Sequence, residues 1–450
     1  MTLDATTSAA LTRRLAVEQS THRLPSVAAA VVRQGEIVWS DAAGNLDGRA
    51  SGEPATPDTQ YRIGSISKTF VAVEVMRLRD EGRLAIGDTI GTHLPEVPFG
   101  HVTIAQLLTH TSGLQAENDG DWWERSPGSS WADLLASGAA LRATPGTGFH
   151  YSNLGYAVLG ELVARLRDRP WQDAVRDGIL TPLGMHRTTT RPEAPAAPGL
   201  AVHPLADLLH VEPEHDAVAM SPAGQLWSTA EDLSTWAAFL AGRTQGVLAE
   251  STLREMLRPV AVADVPGAAW VGAHGLGWQM WNVEGRRYAG HGGSMPGFLA
   301  GLRVDLESGD GVVLMTNATS GLGTVTPDLL EIVREREPVA PTPWHADPSQ
   351  ADDLDLVGPW YWGTYAFTLA LGADGGLRLG EPGQGRGARF RRDGAGWTGL
   401  EGYYRGEPLT VERDADGRPE RLVLASFVFT RTPYDPAVET PGGIDAAGWH

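Results

Sequence analysis

Of the 36 basic side chains in this 450-residue chain, 35 are arginine and one is lysine, Lys68. Arginine serves wherever a plain positive charge suffices, whereas lysine can lose its proton and arginine effectively cannot. Ser65 stands three residues before Lys68 in the segment GSISKTF. If a helix begins near Ser65, positions i and i+3 share a face, about 5–6 Å apart at Cβ. A serine at a helix start also sits among free backbone N–H groups at the positive end of the dipole, where an alkoxide or oxyanion is stabilised. A free lysine has a pKa of about 10.4, so burial or a positive field must strip Lys68 of its proton before it can act as a base. The plainer reading is a serine N-cap followed by a solvated lysine. The uniqueness of Lys68 and the apolar run behind it favour the chemical reading.

A serine–lysine pair needs a proton relay and hydrogen-bond donors. Tyr151–Ser152–Asn153, in PGTGFHYSNLGY, offers a phenol to carry a proton to a leaving group and an amide to orient lysine and substrate. Taken alone, the triplet also fits an Asx turn before a helix. His291–Gly292–Gly293–Ser294 offers two glycines that let backbone approach a ligand closely, or simply a glycine-rich hairpin turn.

The elements that must position these residues are legible in outline. Residues 26–33 and 37–44 flank a Gln34–Gly35 turn and predict a β-hairpin. From Ser67 the apolar period becomes helical and ends at Asp80 to Gly82. Further helices are expected over 102–110, 154–168, 229–241 with Thr229 as N-cap, and 327–335, with strands over 299–304 and 311–315. Strands and helices mixed in this way predict an α+β body, an antiparallel sheet with helices on both faces, over residues 1–335. The stretch 336–352 holds four prolines and reads as a linker. Short β-type runs at 365–371, 377–379, 409–412 and 422–430 predict a small antiparallel, barrel-like domain over 353–434. Residues 435–450 read as a disordered tail.

Composition removes whole classes of function. There is no cysteine, which excludes disulfides, thiolate metal sites and cysteine nucleophiles. A net charge of -19 argues against non-specific binding to nucleic acid or an anionic membrane. No apolar run approaches the roughly 18 residues of a membrane span. Met1 to Leu15 carries Asp4 and polar residues where a secretory leader needs a basic start and an apolar run, so a cytoplasmic location is expected. Lys68 follows Ser67, so there is no P-loop, and no G-x-S-x-G elbow occurs. His203, His210, Glu212, Glu214 and His215 match no zinc spacing. No cofactor and no metal are expected.

The three chemical elements, in this order, resemble those of the penicillin-recognising serine hydrolases. That group contains class C β-lactamases, DD-peptidases, D-aminopeptidases and β-lactamase-fold esterases, with motifs S-x-x-K, Y-x-N and K-T-G or H-x-G. The segments LLTHTSGL (107–114), PGTGFHYSN (145–153), TPLGM (181–185), SPAGQLWSTAEDL (221–233) and HGLGW (274–278) are similar to that group as well. The resemblance covers about residues 20–335. It implies that Ser65 is the nucleophile of an acyl-enzyme and that Lys68 and Tyr151 share the base and acid roles. It further implies that Asn153 positions Lys68 and the acyl side chain, that His291 opens the third motif, and that Gly293 keeps that strand open for substrate. The backbone N–H groups of Ser65 and Ser294 would form the oxyanion hole. Where many relatives have lysine in the third motif this chain has His291, which gives at most a partial charge at neutral pH. The expected activity is therefore hydrolysis of a small-molecule ester or amide. The alternatives are a true β-lactamase, a D-aminopeptidase or DD-peptidase, and a non-catalytic penicillin-binding sensor.

Overall fold

The computed structural model describes residues 2–433 apart from 320, 342, 381–386 and 395. The chain divides into two compact units between Val339 and Ala340, inside the proline-rich stretch. The expected tail over 435–450 lies outside the described residues. No helix among the described residues is long and apolar enough to cross a membrane.

In the first unit the strands follow in chain order. They are β1 (Ser26–Arg33), β2 (Glu36–Gly44), the short β3 (Tyr61–Arg62), β4 (Leu200–Val202), β5 (Leu209–Val211), β6 (Trp227–Ser228), β7 (Ala261–Val262), β8 (Gly272–His274), β9 (Gln279–Val283), β10 (Arg286–Met295), β11 (Phe298–Asp305) and β12 (Gly311–Thr316). Eight of them form one antiparallel sheet in the order β2-β1-β12-β11-β10-β9-β8-β7. The short strands pair separately, β3 with β6 and β4 with β5.

Strand β1 is buried along its whole length, because the sheet is covered on both faces. Its period of two splits the core. Val27, Ala29 and Val31 pack with Leu11, Leu15, Leu329 and Val333 from the terminal helices Ala5–Thr21 and Val325–Arg336. Ala28, Ala30 and Val32 face the larger core, which includes Phe70, Leu159 and Trp236 from helices Ser67–Asp80, Asn153–Arg167 and Ala230–Leu240. The hairpin and the later strands fall where the sequence predicts them. The helix Ala5–Thr21 is not among the predicted elements. Its buried stripe is Thr7, Leu11, Leu15 and Glu18, so half of it is polar and the apolar signal is weak.

In the second unit eight strands between Gly358 and Thr430 close an antiparallel barrel around Trp360, Leu379, Phe390 and Leu422. The run expected over 422–430 is not one strand. It is a hairpin of Pro419–Leu424 and Phe427–Thr430, with Leu424 opposite Phe427. Ala425 adopts φ 53° at the turn, where neither glycine nor proline marks it in the sequence.

Candidate active site

Gly64–Ile66 forms a 3-10 turn and the α-helix begins only at Ser67. Ser65 therefore precedes the helix rather than starting it. In a 3-10 turn residues i and i+3 eclipse, and Lys68 Nζ lies 2.9 Å from Ser65 Oγ. The ammonium also donates to Ala223 O at 2.6 Å. Lys68 is fully buried, and its Nζ stands 5.1 Å from the centre of the Tyr151 ring and 5.7 Å from that of Tyr156. Burial pulls its pKa from the ordinary value down to about 7, against the opposing pull of Glu117 and Glu124.

Two glycines make the surrounding wall possible. Gly64 has φ 52°, and a Cβ there would lie 2.5 Å from Ser294 N. A Cβ on Gly293 would lie 2.0 Å from Ile63 O and 3.4 Å from Ser65 N. Strand β10 thus runs against the serine turn at backbone distance, and the amides of Ser65 and Ser294 come into one neighbourhood.

Tyr151 precedes helix Asn153–Arg167, which Ser152 caps by accepting from Gly155 N at 2.9 Å. The Tyr151 hydroxyl hydrogen-bonds with the Ser65 side chain, and burial raises its pKa well above the ordinary phenol value. Environment therefore pushes the lysine and the phenol apart, one toward losing its proton near neutrality and the other toward keeping it. Asn153 makes no hydrogen bond to Lys68. Its Nδ2 donates to Glu117 Oε1 at 2.6 Å, and its Oδ1 is buried without a hydrogen-bond partner. Glu117 also accepts from Trp123 Nε1 at 2.7 Å. Of the adjacent tryptophans, Trp123 is buried and Trp122 is 57% exposed, with Arg125 stacked on its ring.

His291 is buried, and its Nδ1 lies 2.6 Å from Gly292 O. A carbonyl can only accept, so Nδ1 carries the hydrogen and neutral His291 presents Nε2 as an acceptor. Burial and the nearby Lys68 lower its pKa to about 3. The third motif therefore supplies no positive charge at neutral pH.

Motif and spacing do not single out Glu117 or His110. The imidazole of His110 stacks on Tyr151 with 4.1 Å between ring centres and 24° between planes. Its Nδ1 accepts from Ser152 N at 3.1 Å, and its backbone sits at φ 57°, a strained conformation for a residue with a side chain. His274 lies edge-on to His110 and stacks on Phe149. The only signal for His110 in the sequence is its place in LLTHTSGL.

Residues 10–334 match the family model described as Beta-lactamase. The chain belongs to the beta-lactamase family. Residues 349–431 match a second model, described as Domain of unknown function (DUF7586). Among beta-lactamase-family relatives, Penicillin-binding protein 4 of Amycolatopsis lactamdurans is 29% identical over 361 residues, 75% of this chain and 93% of that protein. Esterase EstB of Burkholderia gladioli is 38% identical over 186 residues, 36% of this chain and 46% of that protein. A solved D-stereospecific amidohydrolase from Streptomyces sp. superposes with a TM-score of 0.59 at 25% identity, over 74% of this chain and 99% of that one. The beta-lactamase-family body is that of a serine hydrolase, and the proteins it is similar to include a penicillin-binding protein, an esterase and an amidohydrolase.

Proposed function

We propose that this protein hydrolyses an ester or amide through an acyl-enzyme on Ser65, and that its substrate carries no carboxylate beside the scissile bond. One observation carries the reading: the sole lysine is sealed from water, 2.9 Å from Ser65 Oγ, with its pKa lowered to about 7. Neutral Lys68 Nζ takes the Ser65 proton as Oγ attacks the carbonyl carbon. The oxyanion forms between the backbone N–H groups of Ser65 and Ser294, donors typically worth about 3–4 kcal/mol each. Tyr151, still protonated, hands its proton to the departing alkoxide or amine and is reprotonated from Lys68. Water then attacks the acyl-enzyme by the reverse proton route, releasing the acid and restoring Ser65 Oγ–H.

The uncharged His291 supports the choice of substrate. Its Nε2 accepts a hydrogen bond and cannot pair with a carboxylate, which disfavours a dedicated β-lactamase or DD-carboxypeptidase. A second reading, hydrolysis of amides bearing a free amine, draws support from the exposed Glu117 beside Asn153 and from the amidohydrolase likeness. A cytoplasmic location belongs to the proposal and is open to cell fractionation.

The test is a fluorophosphonate serine probe followed by peptide mass spectrometry, alongside turnover of p-nitrophenyl esters, D- and L-amino-acid anilides and nitrocefin. Labelling at Ser65 with turnover of esters or anilides is expected. Labelling at Ser67 or Ser294 overturns the nucleophile, and nitrocefin cleaved far better than every ester and amide overturns the substrate class. Labelling without turnover of any substrate would mark a sensor.

A further inference from the structure

Strand β3 ends in Arg62, three residues before Ser65, and the mechanism makes no use of it. Arg62 is 2% exposed, yet among the described residues its guanidinium makes one hydrogen bond, from Nη2 to Gln225 Oε1 at 2.9 Å. Its Nε is buried without a partner. It forms no ion pair among the described residues, in contrast to the buried Arg33, which pairs with Asp310 at 3.1 Å. A buried cation with unmatched donors is costly unless something else matches them.

Arg62 lines a cavity of about 700 Å³ between β3, β6 and residues 192–214. Its apolar wall includes Trp227, Phe298 and Pro198, with the first two rings edge-to-face at 5.1 Å. Glu212 and Glu214 line it as well, and Glu214, with Glu124 and Asp216, favours the charge on Arg62 without pairing with it. Glu212 Oε1 accepts from Arg125, and its Oε2 is buried without a partner. Gln225 is fully committed, accepting from Arg62 and Ala217 N and donating to Thr190 O and His215 O, so it cannot turn to satisfy the guanidinium further.

We infer that this cavity is a second binding site, separate from the Ser65 cleft, for a small monocarboxylate with an apolar body. The guanidinium offers the paired N–H groups that a carboxylate accepts from. Trp227 and Phe298 offer the apolar wall for the rest of the molecule. The two glutamates add negative charge and exclude dianions such as phosphate monoesters and dicarboxylates. This inference does not depend on the proposed hydrolysis.

Phenylacetate is the probe, titrated calorimetrically into the full-length protein at low ionic strength. One equivalent should bind. Phenethylamine, with a similar body and the opposite charge, should bind at least tenfold more weakly. Arg62→Gln should weaken phenylacetate at least tenfold. Glu214→Gln, at an exposed position where folding is not at stake, should tighten it two- to threefold by removing repulsion. Crystals soaked with 4-bromophenylacetate should show anomalous bromine signal between Trp227 and Phe298. The inference is overturned by bromine found only beside Ser65 or nowhere. It is equally overturned by phenethylamine binding as tightly as phenylacetate, or by unchanged phenylacetate affinity in either variant. If Arg62→Gln does not fold, Glu214→Gln and the bromine position decide.

Discussion

At the scale of single residues, the proposal turns on protons. Lys68 is charged below its pKa and neutral above it, so a base with a pKa of about 7 is switched off as pH falls through that value. The pH profile of kcat/KM should rise from acid with an apparent pKa near 7 and approach a plateau above pH 8. A limb near the ordinary lysine value would show that burial does not tune Lys68. Lys68→Arg keeps the charge and nearly the reach but cannot deprotonate. Acylation should fall by several orders of magnitude while the circular dichroism spectrum is retained, and a rate within tenfold of the parent would show that charge alone is required. His291 makes the converse case. Introducing a standing cation with His291→Lys should shift the ratio of kcat/KM for nitrocefin over a p-nitrophenyl ester toward nitrocefin. The scale is about 1–2 kcal/mol, that of a charge-assisted hydrogen bond, or roughly tenfold. An unchanged ratio would remove His291 from substrate choice.

At the scale of elements, the site exists because two pieces of backbone meet at van der Waals distance. Strand β10 approaches the Gly64–Ile66 turn so closely that a methyl group at Gly293 would sit 2.0 Å from Ile63 O, a backbone atom that cannot step aside by changing rotamer. Gly293→Ala must therefore move strand or turn. Since displacements near 1 Å can cost about a hundredfold in rate, kcat/KM should drop on that order and the melting temperature should fall. A normal rate would mean that the strand position is not tied to catalysis. The segment after helix Ile104–Leu108 plays a different part. His110 touches the reaction only through Tyr151, by stacking and by fixing Ser152 N. His110→Phe keeps a ring against Tyr151 and orphans the Ser152 N–H, at about 1–3 kcal/mol. The expected signature is a fall in kcat with little change in KM. A variant altered only in stability would reduce His110 to packing.

At the scale of the whole molecule, His110, His274 and His291 are all buried with pKa values below the ordinary imidazole range, about 4 for His274 and about 3 for His291. Burial is the leading cause in each. A group whose folded pKa is depressed adds stability above its unfolded pKa of about 6.5 and loses it as pH falls toward the folded value. The first unit should therefore lose stability progressively between pH 6.5 and 4, beyond what its carboxylates contribute. His274→Phe removes one such group and keeps the stack on Phe149. Its melting temperature should depend less steeply on pH over that window, and parallel curves for parent and variant would refute the assignment. The barrel has its own closed core. Its strands were half legible, because Leu377 and Leu379 alternate with Arg378 in the expected way while the turn at Ala425 carries no turn residue.

What the sequence determined by itself was local or compositional. The single lysine, its offset from Ser65, the Thr229 cap and the alternation of buried strands are properties of neighbours along the chain, and spacing alone specifies them. The ordered segments from GSISK to HGG were likewise enough to place the chain among serine hydrolases of this type. The tertiary structure decided everything that depends on distance across the chain. Ser65 could not be assigned to a 3-10 turn rather than a helix start without β10 packed on it. Asn153 could not be seen to bind Glu117 rather than Lys68, because 36 residues separate the partners and side-chain reach decides between them. The lowered pKa of Lys68 and the neutrality of the three histidines belong to no local segment. Both follow from desolvation, and desolvation is a property of the folded surroundings.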